Sequence, residues 1–383
     1  MYLHSIGTAV PPRAFTQAEV FSALENTPKY HELTSRSRAL LRKVLGNRNG
    51  IETRHFALDQ MEDAFVFEPD KMIRRFREHA PRLAEAAARK TVEKSGLRLS
   101  EIDALLVATC TGYLCPGLTS YLSQSLGLSP SLAFLDLVGL GCGAALPALQ
   151  QASSLVASGQ ANHALVVCVE ICSAASYLDD DPGVLISACL FGDGAAAAIV
   201  SAQAPEAKRK VRWVKSASHL EPDHRDYLRF DHRDGLLRNL LAPEVPVLAA
   251  RHARTVFERA GMRKEDISGW VWHAGGRDVL AALRQEFSLE EKETEHSSEI
   301  LRRHGVKDIY VGIPHAVLGS TGRDRLKKLG LKEFITTNTT PQEASPFPVK
   351  VLCVAPLLGQ AILRIHEGES VSSLFEIRAG VKT

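Results

Sequence analysis

Hydrophobic positions along the chain fall in short apolar runs separated by amphipathic stretches, and that alternation sets the first expectations. Residues 104–110, ALLVATC, read as an apolar strand, and Ala84–Ser95 before them read as a helix. Phe134–Leu137 reads as a strand, and Ala144–Ser158 as a helix ended by Gly159. His163–Ile171 is a strand rich in Val, and Ala195–Ser201 is a strand of small residues. Near the N-terminus, Thr16-Gln17-Ala18-Glu19 spells a capping box that opens a helix. Alternating strands and helices predict an α/β fold with mostly parallel sheets and helices on their faces.

The pattern repeats. Residues 88–103, ARKTVEKSGLRLSEID, align with 253–268, ARTVFERAGMRKEDIS, and six positions are identical. They pair Ala88, Arg89, Glu93, Gly96, Arg98 and Ile102 with Ala253, Arg254, Glu258, Gly261, Arg263 and Ile267. Each copy reads as a helix closed by Gly, a short turn and an apolar strand, the second being GWVWHAG at 269–275. The chain is therefore expected to contain two homologous α/β halves, 1–205 and 206–305, with 306–383 as a separate tail.

Composition narrows the function. The 383 residues are 45% hydrophobic and 23% charged, which fits an ordinary globular chain. A formal net charge of +2 gives no overall preference for nucleic acid or an anionic membrane. No apolar run approaches the ~20 residues of a membrane span, and the start lacks the order of a secretory signal. Seven cysteines, an odd number without repeated metal-type spacing, predict reduced thiols in a cytoplasm and no metal. Cys168 and Cys172 read as packed residues of one strand.

One cysteine stands apart. In DLVGLGCGAALP (136–147) a strand ends, Gly139, Gly141 and Gly143 surround the turn, and a helix starts just after Cys142. Glycine permits the tight, positive-φ backbone of such a turn and close approach of a substrate. The helix dipole is expected to lower the Cys142 pKa, and nearby backbone N–H groups can form an oxyanion hole. A buried core thiol is the alternative for any single cysteine. His273, in WHAGG (272–276), ends the predicted strand of the second copy; structural histidines are common at such positions.

Together these segments resemble a family. The Cys in a Gly-rich turn, the CLFGDGAAAA run (189–198), the His before Gly-Gly and ATCTGYLCPGLTSYL (108–122) are similar to the thiolase-fold condensing enzymes. Within these, residues 1–305 resemble the type III polyketide synthases, chalcone-synthase-like enzymes. The resemblance implies duplicated thiolase-like αβαβα halves and a homodimer. It implies an acyltransferase that loads an acyl group from coenzyme A onto Cys142, decarboxylates malonyl-CoA and condenses the two. Acyl-CoA and malonyl-CoA are then substrates, and no further cofactor is implied. Cys142 is the implied nucleophile and His273 its partner. Phe191 maps onto a gatekeeping aromatic, although a plain core Phe fits its local sequence equally well. Cys115 and Thr111 map onto the cavity wall. Arg42, Lys43, Arg48 and Arg54 lie where the family binds CoA phosphates, and a solvated helix face explains them equally well.

The resemblance ends near residue 305. The family's catalytic Asn follows a Gly after a helix; here that helix is expected at 290–304, and Gly305 is followed by Val306. Residues 306–375 instead resemble the C-terminal end of ribose-phosphate pyrophosphokinases. That family's acidic ribose-phosphate loop is missing, so pyrophosphokinase activity is not expected. The tail is expected to form strands at 309–311, 333–336 and 349–354 and helices at 322–329 and 357–366. Two functional readings follow: an impaired polyketide synthase, or a catalytically dead dimerising or binding module.

Overall fold

The computed structural model describes residues 1–46, 51, 53–206, 210–273, 275–295, 297 and 298, with the backbone strands at 310–313, 333–337 and 349–352. The chain divides into two compact units, Met1–Gly305 and Val306–Thr383.

The first unit opens with β1 (Tyr2–Ala9), β2 (Ala14–Thr16) and helices α1 (Gln17–Glu25), α2 (Pro28–Glu32) and α3 (Ser35–Gly46). The capping box forms as expected: Thr16 accepts from the Glu19 N–H, and Glu19 accepts from the Thr16 N–H. Strand β3 (Thr53–His55) pairs with β2, and the long helix α4 (Pro69–Ser95) follows. Next come β4 (Ala104–Thr109), α5 (Leu118–Leu126), β5 (Ala133–Val138), α6 (Ala145–Ala157), β6 (His163–Glu170), α7 (Pro182–Leu190) and β7 (Gly194–Ser201). After β8 (Val211–Arg212) the hairpin β9 (Leu228–Arg233)–β10 (Leu236–Leu241) turns on Asp234 and Gly235, both at positive φ. Helices α8 (Val245–Arg259) and α9 (Arg277–Phe287) follow.

Six strands form one sheet in the order β5-β4-β6-β7-β1-β8. The β4–β5 and β4–β6 pairs are parallel, but β6–β7, β7–β1 and β1–β8 are antiparallel. The sheet is thus mixed rather than mostly parallel as the alternation suggested. The difference arises because β7 and β8 run against the other four strands, β7 lying between β6 and β1 and antiparallel to both, and strand direction is not encoded in periodicity along the chain.

The central strand β4 is buried at every position because both faces are covered. Leu105 and Val107 pack with α4 and α5, while Ala104 and Leu106 pack with Ala148, Ala152 and Val156 of α6. Helix α4 lies against the sheet through an alanine face (Ala80, Ala84, Ala87, Ala88), and Gly7 of β1 permits that approach. A Cβ at position 7 would sit 2.5 Å from Thr91 Oγ1 and 2.8 Å from the Ala87 carbonyl. Gly7→Ala is therefore expected to lower unfolding free energy by about 1–3 kcal/mol, measured by urea denaturation; unchanged stability would contradict this packing.

The internal repeat holds through its helices and turns. Both α4 and α8 are followed by a positive-φ glycine, Gly96 and Gly261, and then by matching 3-10 turns, Leu99–Glu101 and Lys264–Asp266. It breaks at the strand. Residues 104–109 pair on both sides, whereas the segment expected as a strand at 269–275 has no ladder partner among the described residues. A strand needs neighbours for its backbone groups. The counterparts of β5 and β6 would fall at and beyond the junction near residue 305, where the sequence changes. Within the second half, α8 packs on α9 through Ala250, Trp270, Leu283, Phe287 and Leu289.

The helix expected at 290–304 is described only in part, with a 3-10 turn at Glu291–Thr294. The second unit shows three parallel strands, β11 (Tyr310–Ile313), β12 (Glu333–Thr337) and β13 (Val349–Leu352), in that order across the sheet. These match the three expected tail strands within a few residues. The tail helices expected at 322–329 and 357–366, and Val306, lie outside the described residues.

Candidate active site

Strand β5 delivers the chain into a glycine turn, with Gly139 at φ 84° and Gly141 at φ 55°. A 3-10 turn, Gly141–Gly143, holds Cys142, and α6 begins at Ala145. Cys142 is exposed, so it is not the buried core thiol of the alternative reading.

Beside it, β4 and β6 end in register. Glu170, the last residue of β6, accepts the backbone N–H groups of Cys110 and Thr111 at 3.0 Å each, and the Thr111 hydroxyl at 2.7 Å. That hydroxyl also accepts the Ile171 N–H at 2.8 Å, which locks Thr111 between the strand ends. Burial pushes the Glu170 carboxyl above its ordinary range despite these donors.

Electrostatics overturn one expectation. The Cys142 thiol is raised, not lowered: desolvation contributes most, the Glu170 charge next, and the residue's own backbone hydrogen bond offsets only part. A single 3-10 turn ahead of α6 does not outweigh a buried carboxylate. Other thiols are also raised: Cys168 to about 11 and Cys189 to about 12, and Cys110 and Cys172, which interact with Cys142, likewise. Of these raised thiols, Cys142 alone is exposed. Accessibility, more than acidity, distinguishes it.

Removing the carboxylate's charge should shift Cys142 downward. Glu170→Gln is expected to move the iodoacetamide profile of Cys142 to lower pH and to speed its alkylation at neutral pH. A profile that stays in place would remove Glu170 from this account.

His273 follows the stacked Trp270 and Trp272, whose rings lie 5.3 Å apart and nearly parallel. The Trp272 N–H donates to the Ser297 hydroxyl at 2.7 Å, which fixes the chain just before His273. The Gly pair leaves room for the imidazole: a Cβ at Gly275 would lie 3.3 Å from Nε2. Desolvation lowers the His273 pKa, so the ring is neutral near pH 7 and able to accept a proton. Among the described residues no hydrogen bond or ion pair joins His273 to Cys142, and the segment that ends in His273 has no ladder partner among them.

A small open cleft is lined by Thr111, Cys172, Phe191, Phe230 and Asn239 among others. The structure thus brings together two of the expected pocket residues, Thr111 and Phe191. Cys172, expected as a packed strand residue, lies instead in a 3-10 turn after β6 and lines this cleft. Cys115 is exposed beside Pro116 and is not in the lining. Phe191 caps α7, and its carbonyl accepts from Arg54 at 2.9 Å.

The expected phosphate cluster divides. Arg42 and Lys43 are exposed on α3, and Arg42 lies 3.8 Å from Glu25. Arg48 lies outside the described residues. Arg54 is only 2% exposed, with its guanidinium on Gln17, the Ala188 carbonyl and the Phe191 carbonyl. It therefore braces the loop that carries Phe191 and does not face a ligand phosphate at the surface; a basic residue in a short strand carries no sign of such burial.

Sequence reasoning also passed over Asp193, in the quoted FGDG run, and Glu170. Asp193 is 3% exposed and accepts the Ala57 N–H at 2.7 Å, the Ser173 N–H at 2.8 Å and the Ser173 hydroxyl at 2.7 Å. The available signal for Glu170 was a lone carboxylate closing the apolar run VVCVE.

The model of the FAE1/type III polyketide synthase-like proteins matches residues 9–219. The chain belongs to that family. It is 30% identical to a 3,5-dihydroxyphenylacetyl-CoA synthase of Streptomyces toyocaensis, across 78% of this chain and 77% of that protein. Phloroglucinol synthase of Pseudomonas fluorescens is 27% identical, across 77% of this chain and 84% of that one. The solved 1,3,6,8-tetrahydroxynaphthalene synthase of Streptomyces coelicolor superimposes with a TM-score of 0.70 at 24% identity, covering 79% of this chain and 86% of its own. That likeness establishes the thiolase-type fold. A second family model, the phosphoribosyl synthetase-associated domain, matches residues 288–376. Both resemblances read from the sequence are thus met, and the polyketide synthase relatives mark the chain as an enzyme of the acyl-CoA-condensing type.

Proposed function

We propose that this polyketide synthase-type chain uses Cys142 to take an acyl group from an acyl-CoA starter and extends it with malonyl-CoA. The Cys142 sulfur attacks the thioester carbonyl, and the CoA thiolate leaves with the proton that Cys142 gives up. Malonyl-CoA then loses carbon dioxide, and the resulting enolate carbon attacks the Cys142 thioester. The new carbon–carbon bond forms as the Cys142 sulfur departs. Backbone N–H groups at the start of α6 are the candidate oxyanion donors. Neutral His273 serves as the proton acceptor, which suits a raised Cys142 thiol better than a resting thiolate–imidazolium pair. Coenzyme A thioesters are the substrates, with Arg42 and Lys43 the exposed cations available for phosphate and Phe191 at the cleft wall. The observation that carries this reading is the exposed thiol on a positive-φ glycine turn that opens α6.

A homodimer in the cytoplasm fits the same reading. The edge strand β5, the turn after it and the start of α6 expose Phe134, Val138, Leu140 and Leu146, an apolar margin next to the nucleophile. No described helix is long and apolar enough to cross a membrane.

A second reading, a thiolase-fold module without turnover, is favoured by the segment at 269–273, which has no ladder partner among the described residues, and by Val306 in place of the expected Asn. Incubation with an acyl-CoA separates the two. An active chain releases one equivalent of free CoA thiol per Cys142, and the Cys142→Ala variant releases none. Release equal in both variants would remove Cys142 from the reaction.

A further inference from the structure

Two walls of the cleft are tied together by one side chain. The first wall is α7, which contributes Val184, Ser187 and Phe191. The second is the β9–β10 hairpin, which contributes Phe230 and Asn239, directly opposite each other in its register. The hairpin is a two-stranded sheet of its own, and Leu236 is the only buried residue in its two strands. A ribbon with so little apolar packing is marginal by itself. Its backbone does reach α7, since a Cβ at Gly183 would overlap the Leu241 carbonyl.

Arg238 supplies the side-chain link. Its Nε donates to Asp179 Oδ2 at 2.6 Å, and its Nη2 lies 3.5 Å from Asp181 Oδ2. The Arg238 and Asp179 side chains are 13% and 19% exposed, so solvent screens this pair less than a surface pair. The hydrogen bond to Asp179 raises the guanidinium above its ordinary pKa. Backbone groups fix both carboxylates: Asp179 Oδ1 accepts the Asp181 N–H at 2.9 Å, and Asp181 Oδ1 accepts the Gly183 N–H at 2.8 Å as the cap of α7. Arg233 also approaches Asp179, at 3.4 Å, but its side chain is 58% exposed. At its other end α7 is braced by Arg54, which donates to the Ala188 and Phe191 carbonyls. The helix is therefore the fixed wall, and the hairpin is the wall that Arg238 places. The cleft also carries the mark of a ligand site. Ser187 Oγ lies buried in its lining with no hydrogen-bond partner among the described residues, and such a group is costly to leave unpaired.

We propose that Arg238 is a positioning residue: by bridging Asp179 and Asp181 it holds the hairpin against α7 and so sets the longest acyl chain that the cleft admits. The proposal rests on the reading of Cys142 as the acylated thiol. Arg238 acts on acyl size through Phe230 and Asn239, without touching the reacting atoms.

Straight-chain acyl-CoAs from acetyl to dodecanoyl, offered singly to the full chain, test it through the rate at which each acyl mass appears on Cys142. Arg238→Gln should raise the ratio of dodecanoyl to acetyl loading about tenfold, the lower end of what one methylene decides in a fitted pocket. Arg238→Lys, which keeps the charge but not the fork, should fall between Arg238→Gln and the parent. Amide hydrogen exchange, read alongside, should quicken at residues 228–241 in Arg238→Gln and stay unchanged in β4, which separates a loosened hairpin from a lost fold. A parent-like acyl preference in Arg238→Gln overturns the proposal, and so does unchanged exchange in its hairpin. A parent chain that gains no acyl mass on Cys142 from any of these thioesters overturns the proposed function, and the role of Arg238 with it.

Discussion

Acyl loading onto Cys142 is expected to outpace malonyl decarboxylation by roughly 10²–10³-fold more than the family pattern implies, because the decarboxylation enolate has one side-chain donor fewer. Loading needs the Cys142 sulfur, a proton acceptor and backbone donors, all within residues 1–305. Decarboxylation calls in addition on the Asn that the resemblance places after Gly305, where this chain has Val306. A Val side chain has no hydrogen to donate to an enolate oxygen. Free CoA thiol and carbon dioxide, followed separately on the purified chain, measure the two steps. Val306→Asn should raise carbon dioxide release while leaving loading unchanged. Equal, fast rates for both steps in the unaltered chain would mean another group supplies the missing donor.

The second large effect is on stability. Asp193→Ala should lower unfolding free energy by about 3–5 kcal/mol. The substitution leaves the Ala57 and Ser173 N–H groups unpaired in the interior and removes an anion close to the buried Arg54 and the partly buried Arg75. Arg54 is the more sensitive of these: complete burial already lowers its pKa to about 10, and the Asp193 charge is one of the groups that hold it up. Asp193→Asn keeps the shape and one acceptor and should lose less. Thermal unfolding of the three chains side by side gives the comparison; an Asp193→Ala chain that melts with the parent would contradict the assignment of this carboxylate as the brace of the FGDG loop.

Local signals in the sequence account for much of the first half. The capping box at Thr16, the glycine after each repeated helix, and the apolar run of β4 are each decided by residues within a turn or two of one another. The same holds for the Cys142 turn, where three glycines in five residues announce the backbone. What the sequence did not reveal depends on distant partners. The antiparallel insertion of β1 beside β7 depends on residues almost two hundred positions away, and Gly7 shows its purpose only against Thr91. The fate of GWVWHAG was illegible for the same reason: its pattern is that of a strand, but the neighbours it needs belong to a stretch of sequence that has changed. Within the site, the raised Cys142 thiol could not be read from a helix start, since the surroundings that desolvate it, and next the Glu170 carboxylate, come from elsewhere in the chain. Arg54 looked like its basic neighbours until its guanidinium was found under the Phe191 loop.

The central claim is that Cys142 carries the acyl group. Incubation of the full chain with an acyl-CoA, followed by acid quench, digestion and peptide mass mapping, reads the position directly. The expected result is the acyl mass on the peptide containing Cys142, absent from the Cys142→Ala variant. The acyl mass on Cys110 or Cys115 with Cys142 unmodified would contradict it.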